Sequence, residues 1–325
     1  MIVVTGGAGF IGSALVWELN RRGHEDILVV DRLYESDKWK NLRRIDFLDY
    51  LDKQDFLEAV KDDRLEYSPD VVFHLGASSS TTETDLDYLM KNNYGYTREL
   101  AKWCLENGSR FIYASSAATY GDGSNGYSDD HENISRLSPL NPYGFSKQRF
   151  DEYAHRKGWL SDIVGLKYFN VYGPNEYHKG NMRSVVNKSY PQARDEGTIR
   201  LFKSHVSEYE HGQQKRDFLY VKDAVKMTLF FMENPEVNGI YNIGTGTART
   251  FDDLAKSIFD ALDKPVDIEY FDMPEDIRPN YQYYTQADLT KLRNAGFTDE
   301  LHTLEEGIKD YVINYLDSDN GYLSS

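Results

Sequence analysis

The eight residues Thr5-Gly6-Gly7-Ala8-Gly9-Phe10-Ile11-Gly12, directly after the apolar triplet Ile2-Val3-Val4, constrain this chain more than any other stretch. Glycines at 6, 9 and 12 let a strand turn sharply into a helix, bring backbone N–H groups up to a ligand and permit close helix–strand packing. The start of a helix is electropositive, so such a turn accommodates a pyrophosphate. Asp31 ends the next apolar run, Ile27-Leu28-Val29-Val30, at about the distance where an acid meets an adenosine ribose. Arg32 follows it, and Lys38 and Lys53 lie just beyond. Those cations suit a ribose that carries a phosphate, so NADP is expected ahead of NAD. Gly76-Ala77-Ser78-Ser79 and Asn92 are expected to line the rest of the cofactor, and His74 reads as a hydrogen-bonded strand-end histidine.

The first half of the chain alternates short β-branched runs with segments of helical period, which argues for βαβ units around a parallel sheet. Strands are expected at Ile2-Val3-Val4, Ile27 to Val30, Val71-Val72-Phe73, Phe111-Ile112-Tyr113 and Ile163 to Leu166, with helices over 11–22, 88–107 and 145–157. After about Tyr172 come loops, a helix-like stretch from Met182 to Asp195, and a polar surface segment from Ser204 to Gln214. The sheet is expected to resume at Asp217 to Tyr220 and at Tyr241-Asn242-Ile243. The fold class is therefore α/β, a doubly wound parallel sheet with a smaller interleaved α/β substrate domain. Residues 1–171, with about 216–244 and 281–290, are assigned to the dinucleotide domain, and 172–215 and 245–325 to the second. A cleft between them is the expected binding site.

Asp plus Glu total 53 against 37 Lys plus Arg, a net charge of -16, which is the wrong sign for nucleic acid or an anionic membrane. Cys104 is the single cysteine, excluding an intrachain disulfide; in Ala101-Lys102-Trp103-Cys104-Leu105 it reads as helix core. Strand-like residues begin at Ile2 and no run reaches membrane-span length, so a cytoplasmic enzyme without metal is expected.

Tyr143-Gly144-Phe145-Ser146-Lys147 follows Pro142, a residue suited to a first helical position, so Tyr143 and Lys147 share one face. The cation is expected to lower the tyrosine pKa and let it take an alcohol proton. In Ala114-Ser115-Ser116-Ala117-Ala118-Thr119-Tyr120, Ser116 stands at a strand end, where it can donate to a substrate oxygen.

The glycine turn, this Ser/Thr strand end and Tyr-x-x-x-Lys, in that order, resemble the extended short-chain dehydrogenase/reductase superfamily. Within it, Ser79-Ser80-Thr81-Thr82-Glu83, Tyr168-Phe169-Asn170-Val171-Tyr172-Gly173-Pro174, His178-Lys179-Gly180, Lys215-Arg216-Asp217-Phe218 and Tyr284-Thr285-Gln286-Ala287-Asp288-Leu289 resemble the ADP-L-glycero-D-manno-heptose 6-epimerase family nearly end to end. That resemblance implies inversion of C6 in an ADP-heptose through transient oxidation by bound NADP, in lipopolysaccharide inner-core precursor synthesis, by a homo-oligomer, a pentamer in the family. It implies Lys179 as the second acid–base group beside Tyr143, with His178 as local support. Leu75, Val171 and Lys179 would join the cofactor contacts, and Asn170, Asn181, Lys188, Phe202, Lys203, Ser204, His205, Arg216 and Tyr281 the substrate contacts, with Arg216 on the diphosphate. The chain departs from the pattern at Leu75, where an acid is common, at Lys188, where a histidine is, and in a longer 204–214 loop. A nucleotide-sugar 4-epimerase or 4,6-dehydratase is the nearest alternative, although Thr119 precedes Tyr120 and Gly121 rather than an acid pair. A non-catalytic dinucleotide-binding protein is the remote one.

Overall fold

The structure, a computed structural model, describes residues 1–275, 277–278 and 281–324; the four other positions fall inside the expected 245–325 segment. In chain order the strands are β1 (Ile2–Thr5), β2 (Ile27–Asp31), β3 (Asp49–Asp52), β4 (Val71–His74), β5 (Arg110–Ser116), β6 (Val164–Tyr168), β7 (Asn170–Tyr172), β8 (Ile199–Phe202), β9 (Lys215–Tyr220), β10 (Gly239–Ile243), β11 (Ala248–Thr250) and β12 (Ile268–Phe271). The α-helices are α1 (Phe10–Arg21), α2 (Lys53–Lys61), α3 (Leu86–Leu89), α4 (Tyr96–Asn107), α5 (Pro142–Arg156), α6 (Val185–Pro191), α7 (Val221–Glu233), α8 (Phe251–Ala261), α9 (Thr290–Asn294) and α10 (Leu304–Tyr311).

A seven-stranded parallel sheet runs β10-β6-β5-β4-β1-β2-β3. Its central strands are apolar on both faces because both faces are covered. Ile2, Val4, Ile27 and Val29 enter one apolar layer with α1 and α7, while Val3, Leu28 and Val30 enter the other with α2, α4 and α5. Cys104 is buried in that second layer, as expected. Chain order reverses between β1 and β4, so the loops leaving their carboxyl ends diverge and open a crevice there.

All five expected strands form, and two further features were absent from the expectation. The edge strand β3, Asp-Tyr-Leu-Asp, lacks an apolar run, and α2 follows it at once, with the Asp52 side chain accepting from Gln54 N at 2.8 Å as a helix cap. The expected 88–107 helix begins at Leu86 and contains a π-helical turn, Met90–Gly95. One expectation is corrected: Asp217 to Tyr220 does not rejoin the main sheet. The edge beyond β6 is taken by β10, in register Tyr241 to Leu166, and β9 pairs instead with β7 and β11 in a separate three-stranded sheet. A third sheet joins β8 to β12. Among the described residues, no helix is long and apolar enough to cross a membrane.

His74 is a buried strand-end histidine held between Thr5 Oγ1 at 2.7 Å and Thr97 Oγ1 at 2.9 Å, with its ring stacked on Tyr96. Burial pushes its pKa down to about 3, and burial likewise takes His131 and His178 down to about 4, from an ordinary 6.5. The unfolded chain therefore binds protons that the native one refuses, so stability is fully present above pH 6.5 and declines as the pH falls toward these values. Thermal unfolding midpoints measured across that range should drop with acidification, and His74→Gln should make the decline shallower.

Candidate active site

Three cavities adjoin one another, the first two at the carboxyl ends of the main sheet's strands. The first, about 460 Å³, is lined by Gly6, Gly9, Phe10, Ile11, Gly12, Asp31, Lys38, Leu75, Gly76, Ala77, Ser79, Ser116, Tyr143, Lys147, Asn170, Val171 and Lys179 among others. The second, about 240 Å³, shares Gly6, Asp31, Lys38, Gly76 and Ala77 with it and adds Arg32, Lys53, Ser78 and Asn92. Every residue expected at the cofactor thus lines one of two contiguous cavities. The third, about 260 Å³, shares Val185 and Phe251 with the first and brings Lys188, Phe202 and Tyr281 together.

The glycine turn is shaped to admit a dinucleotide. A Cβ on Gly12 would lie 2.0 Å from Gly6 O, and one on Gly6 would lie 2.6 Å from Gly76 N, so the loops after β1 and β4 run in backbone contact. No side chain caps α1 at Gly9 and no acid stands in its first turn. Its first N–H groups have no intrahelical acceptor and face the cavity, as an anion requires.

At the far end, Asp31 is already engaged. Its carboxylate accepts from Ala8 N at 2.9 Å, Arg32 N at 2.6 Å and Lys38 Nζ at 2.6 Å. Lys53 Nζ donates to Asn92 Oδ1, and burial together with the nearby Arg32 holds its pKa below the ordinary lysine value. Three cations therefore surround one carboxylate.

Helix α5 carries Tyr143 and Lys147. Asn141 caps it through Gly144 N at 2.8 Å, and Pro142 begins it three residues before the expected start. Tyr143, Lys147 and Asp151 are spaced i, i+4, i+8 and share a face. Lys147 Nζ donates to Ala114 O on β5 at 2.7 Å, and burial pulls its pKa down to about 8 against the pull of Asp151. The expected lowering of the Tyr143 pKa by Lys147 does not occur in this state: burial raises it, and only a hydrogen bond with Ser116 opposes the rise. The lysine is drawn instead to a strand carbonyl.

Beneath the pair, Asp151 is fully buried and accepts from Lys167 Nζ at 2.8 Å, Ser115 Oγ at 2.7 Å and Tyr113 OH at 2.9 Å. Lys167 Nζ reaches Thr119 Oγ1 as well, at 2.6 Å. Asn93, in the π-helical turn, binds Ser78 N and O and donates to Ser146 Oγ at 3.0 Å, joining the β4 turn to α5. Asp151, Lys167 and Asn93 were not singled out from sequence, since a buried lysine, aspartate or asparagine carries no local signal.

Lys179 lies in the loop after β7, half-buried, with its ammonium 5.2 Å from the centre of the Phe10 ring and its pKa lowered by burial. His178 also lines the first cavity and meets Asn41 Nδ2 at 3.3 Å. Of the remaining substrate candidates, Asn181 is exposed and its carbonyl faces Lys188 Nζ at 3.5 Å. Arg216 is buried between the rings of Phe251 and Tyr281 and donates to the carbonyls of Lys215 and Gln282. Lys203, Ser204 and His205 stand outside these cavity walls, paired with Asp272, His211 and Tyr283. Arg183 in the first cavity and Arg200 in the third were not anticipated.

Replacing Asp151 with Asn leaves Lys167 buried without its counter-charge. Denaturant unfolding should show a loss of about 3 kcal/mol, with the Lys147 pKa falling further; a melting curve like the parent's would mean that the pair does not anchor α5.

The comparisons with known proteins fit this geometry. Residues 2–244 match the model of the NAD dependent epimerase/dehydratase family. The chain is 53% identical over 323 residues to an ADP-L-glycero-D-manno-heptose-6-epimerase of Nitratidesulfovibrio vulgaris strain DP4, covering 99% of this chain and 100% of that one. Its structure is similar to the crystal structure of the Helicobacter pylori ADP-L-glycero-D-manno-heptose-6-epimerase, at a TM-score of 0.78 and 30% identity, covering 96% and 95% of the two chains. It is also similar to a UDP-N-acetylglucosamine 4-epimerase of Methanobrevibacter ruminantium, at a TM-score of 0.79 and 28% identity over 96% of each.

Proposed function

This chain belongs to the NAD dependent epimerase/dehydratase family, within it to the ADP-L-glycero-D-manno-heptose-6-epimerases, and we propose that Tyr143 and Lys179 are the two acid–base groups with which it inverts C6 of an ADP-heptose. The observation that carries the reading is that both side chains line one cavity, from α5 and from the loop after β7, beside the glycine turn.

Bound on that turn, a nicotinamide dinucleotide would supply a reversible hydride acceptor. The residues do the rest. A carbinol C–H is far too weak an acid for a side chain to remove as a proton, whereas the C6 ketone formed on oxidation is planar and open on both faces. Tyr143 takes the hydroxyl proton as hydride leaves, and Ser116 donates to the oxygen. Burial raises the pKa of the tyrosine, and the hydrogen bond with Ser116 is the contact that favours its giving up a proton. Once the keto sugar turns, its oxygen lies elsewhere, and Lys179 protonates it there. Burial lowers the pKa of Lys179, which makes its ammonium a readier proton donor than a solvated lysine.

The resident dinucleotide is NADP in this reading. Lys38 neutralises the carboxylate that would accept a ribose diol, and Arg32 and Lys53 line the same cavity with charge to spare for a phosphate. The third cavity, with Phe202, Tyr281 and Lys188, offers aromatic faces and a cation to the nucleotide end of the substrate. The reaction would serve lipopolysaccharide inner-core precursor supply.

Tyr143→Phe should abolish turnover with the dinucleotide still bound. Lys179→Ala should stop interconversion of the two ADP-heptose epimers while one of them still builds the absorbance of reduced nicotinamide; full epimerisation in that variant would refute the two-group assignment. Titration of cofactor-stripped protein should show Lys38→Ala or Lys53→Ala losing on the order of tenfold or more of its preference for NADP over NAD. A parent enzyme that binds NAD more tightly would overturn the cofactor assignment.

A further inference from the structure

We propose that Glu176 is the positioning residue of Lys179: a buried carboxylate that ties together the two ends of the loop carrying that lysine. This rests on the reading of Lys179 as the second acid–base group.

The loop runs from Gly173 to Ser184 and departs from ordinary backbone on both sides of the lysine, at Asn175 with φ 75° and at Gly180 with φ 54°. Few local interactions favour such a path, so something must hold it. Glu176 is fully buried, and its Oε1 accepts from Ser184 Oγ at 2.6 Å and from Gly173 N at 3.3 Å, while Oε2 accepts from Ser184 N at 2.5 Å. One carboxylate thus closes the loop into a ring. Its own carbonyl accepts from Lys179 N at 3.0 Å, one tight turn further on.

The base of the ring is fixed to the cofactor side. Asn175 donates to Ser13 Oγ on α1 at 2.9 Å and accepts from Leu323 N at 3.0 Å, and its carbonyl accepts from Asn41 Nδ2 at 3.1 Å. The loop is therefore referenced to the helix that opens the glycine turn, and Lys179 stands over Phe10, the first residue of that helix. A proton-transfer group must be held within hydrogen-bond reach of its partner to act, and this bonding does so for a long, flexible side chain.

A buried carboxylate is costly unless bonded and matched by charge, which a neutral glutamine would not require. The charge has a use here. Glu176 faces Lys179 on its own loop and Lys188 on α6, and burial holds its own pKa up. Arg183 beside Lys188 and a neutral His178 add no carboxylate of their own, Asp31 lies beyond His178 and bonds Lys38, and the phenols of Tyr311 and Tyr177 complete the surroundings. Glu176 is thus the carboxylate that favours the ammonium form of Lys179 against its burial.

The test uses full-length holoenzyme carrying Glu176→Gln and Glu176→Asp. Two quantities are read: kcat and KM on both epimers, and the pH at which Lys179 becomes reactive to an amine-acylating reagent, followed by peptide mass spectrometry. Glu176→Gln should lower kcat on the order of tenfold to a hundredfold with little change in KM, and Lys179 should become reactive at lower pH. Glu176→Asp should restore part of both. Parent-like kcat with unshifted Lys179 reactivity in the glutamine variant overturns the proposal. Should that variant fail to fold, Ser184→Ala removes one tie and keeps the charge; kcat must then fall several-fold, and an unchanged kcat overturns the proposal. Full activity in Lys179→Ala would instead sink the underlying acid–base assignment, with the reactivity shift still reporting on Glu176.

Discussion

The buried ion pair of Asp151 and Lys167 is the interaction that fixes helix α5, and with it Tyr143 and Lys147. Asp151 lies one turn beyond Lys147 and two beyond Tyr143 on α5, and Lys167 comes from β6. Two charges out of water are tolerated only where every remaining donor and acceptor is met, and here Tyr113, Ser115 and Thr119 complete the set from β5 and the turn after it. The network pins the helix to the two strands whose ends form the cavity floor. It sets both where the tyrosine points and how much positive charge Lys147 retains.

The second half of the site is built differently. Lys179 rides on a loop, and its place depends on two consecutive buried polar residues, Asn175 and Glu176, rather than on a helix face. The first cavity thus has Tyr143 on a helix and Lys179 on a loop. The cofactor turn is common to both, since α1 receives Asn175 through Ser13 and its first residue lies under Lys179.

The same logic places the charge around Asp31. Asp31 read alone argues for a ribose diol, and the cations after it argue for a phosphate. The geometry joins the two signals: Lys38 folds back onto Asp31 across six intervening residues, while Lys53 arrives at the start of α2, a helix without a clear sequence signature. Three positive groups gather where a single acid had been the visible feature.

Much of this protein was legible in its sequence because the relevant signals are local. Glycine spacing, continuous β-branched runs, a proline-started helix and a Tyr-x-x-x-Lys pair each report backbone geometry within a few residues, so the parallel sheet, the glycine turn and the shared helix face of Tyr143 and Lys147 could be read directly. The strand expected at Asp217 to Tyr220 was a strand, but its partner depended on which edge β10 occupied, and that is a matter of competition between distant segments. Asn93, Asp151, Lys167, Asn175 and Glu176 look like surface residues in a string of letters. They become the supports of the site only because contacts such as Asn175 to Ser13, 162 positions apart, bring them under it. The sequence by itself determined which side chains are candidates for the chemistry; the tertiary structure decided how they are aimed and charged, because burial and long-range hydrogen bonding exist only once the chain has closed on itself.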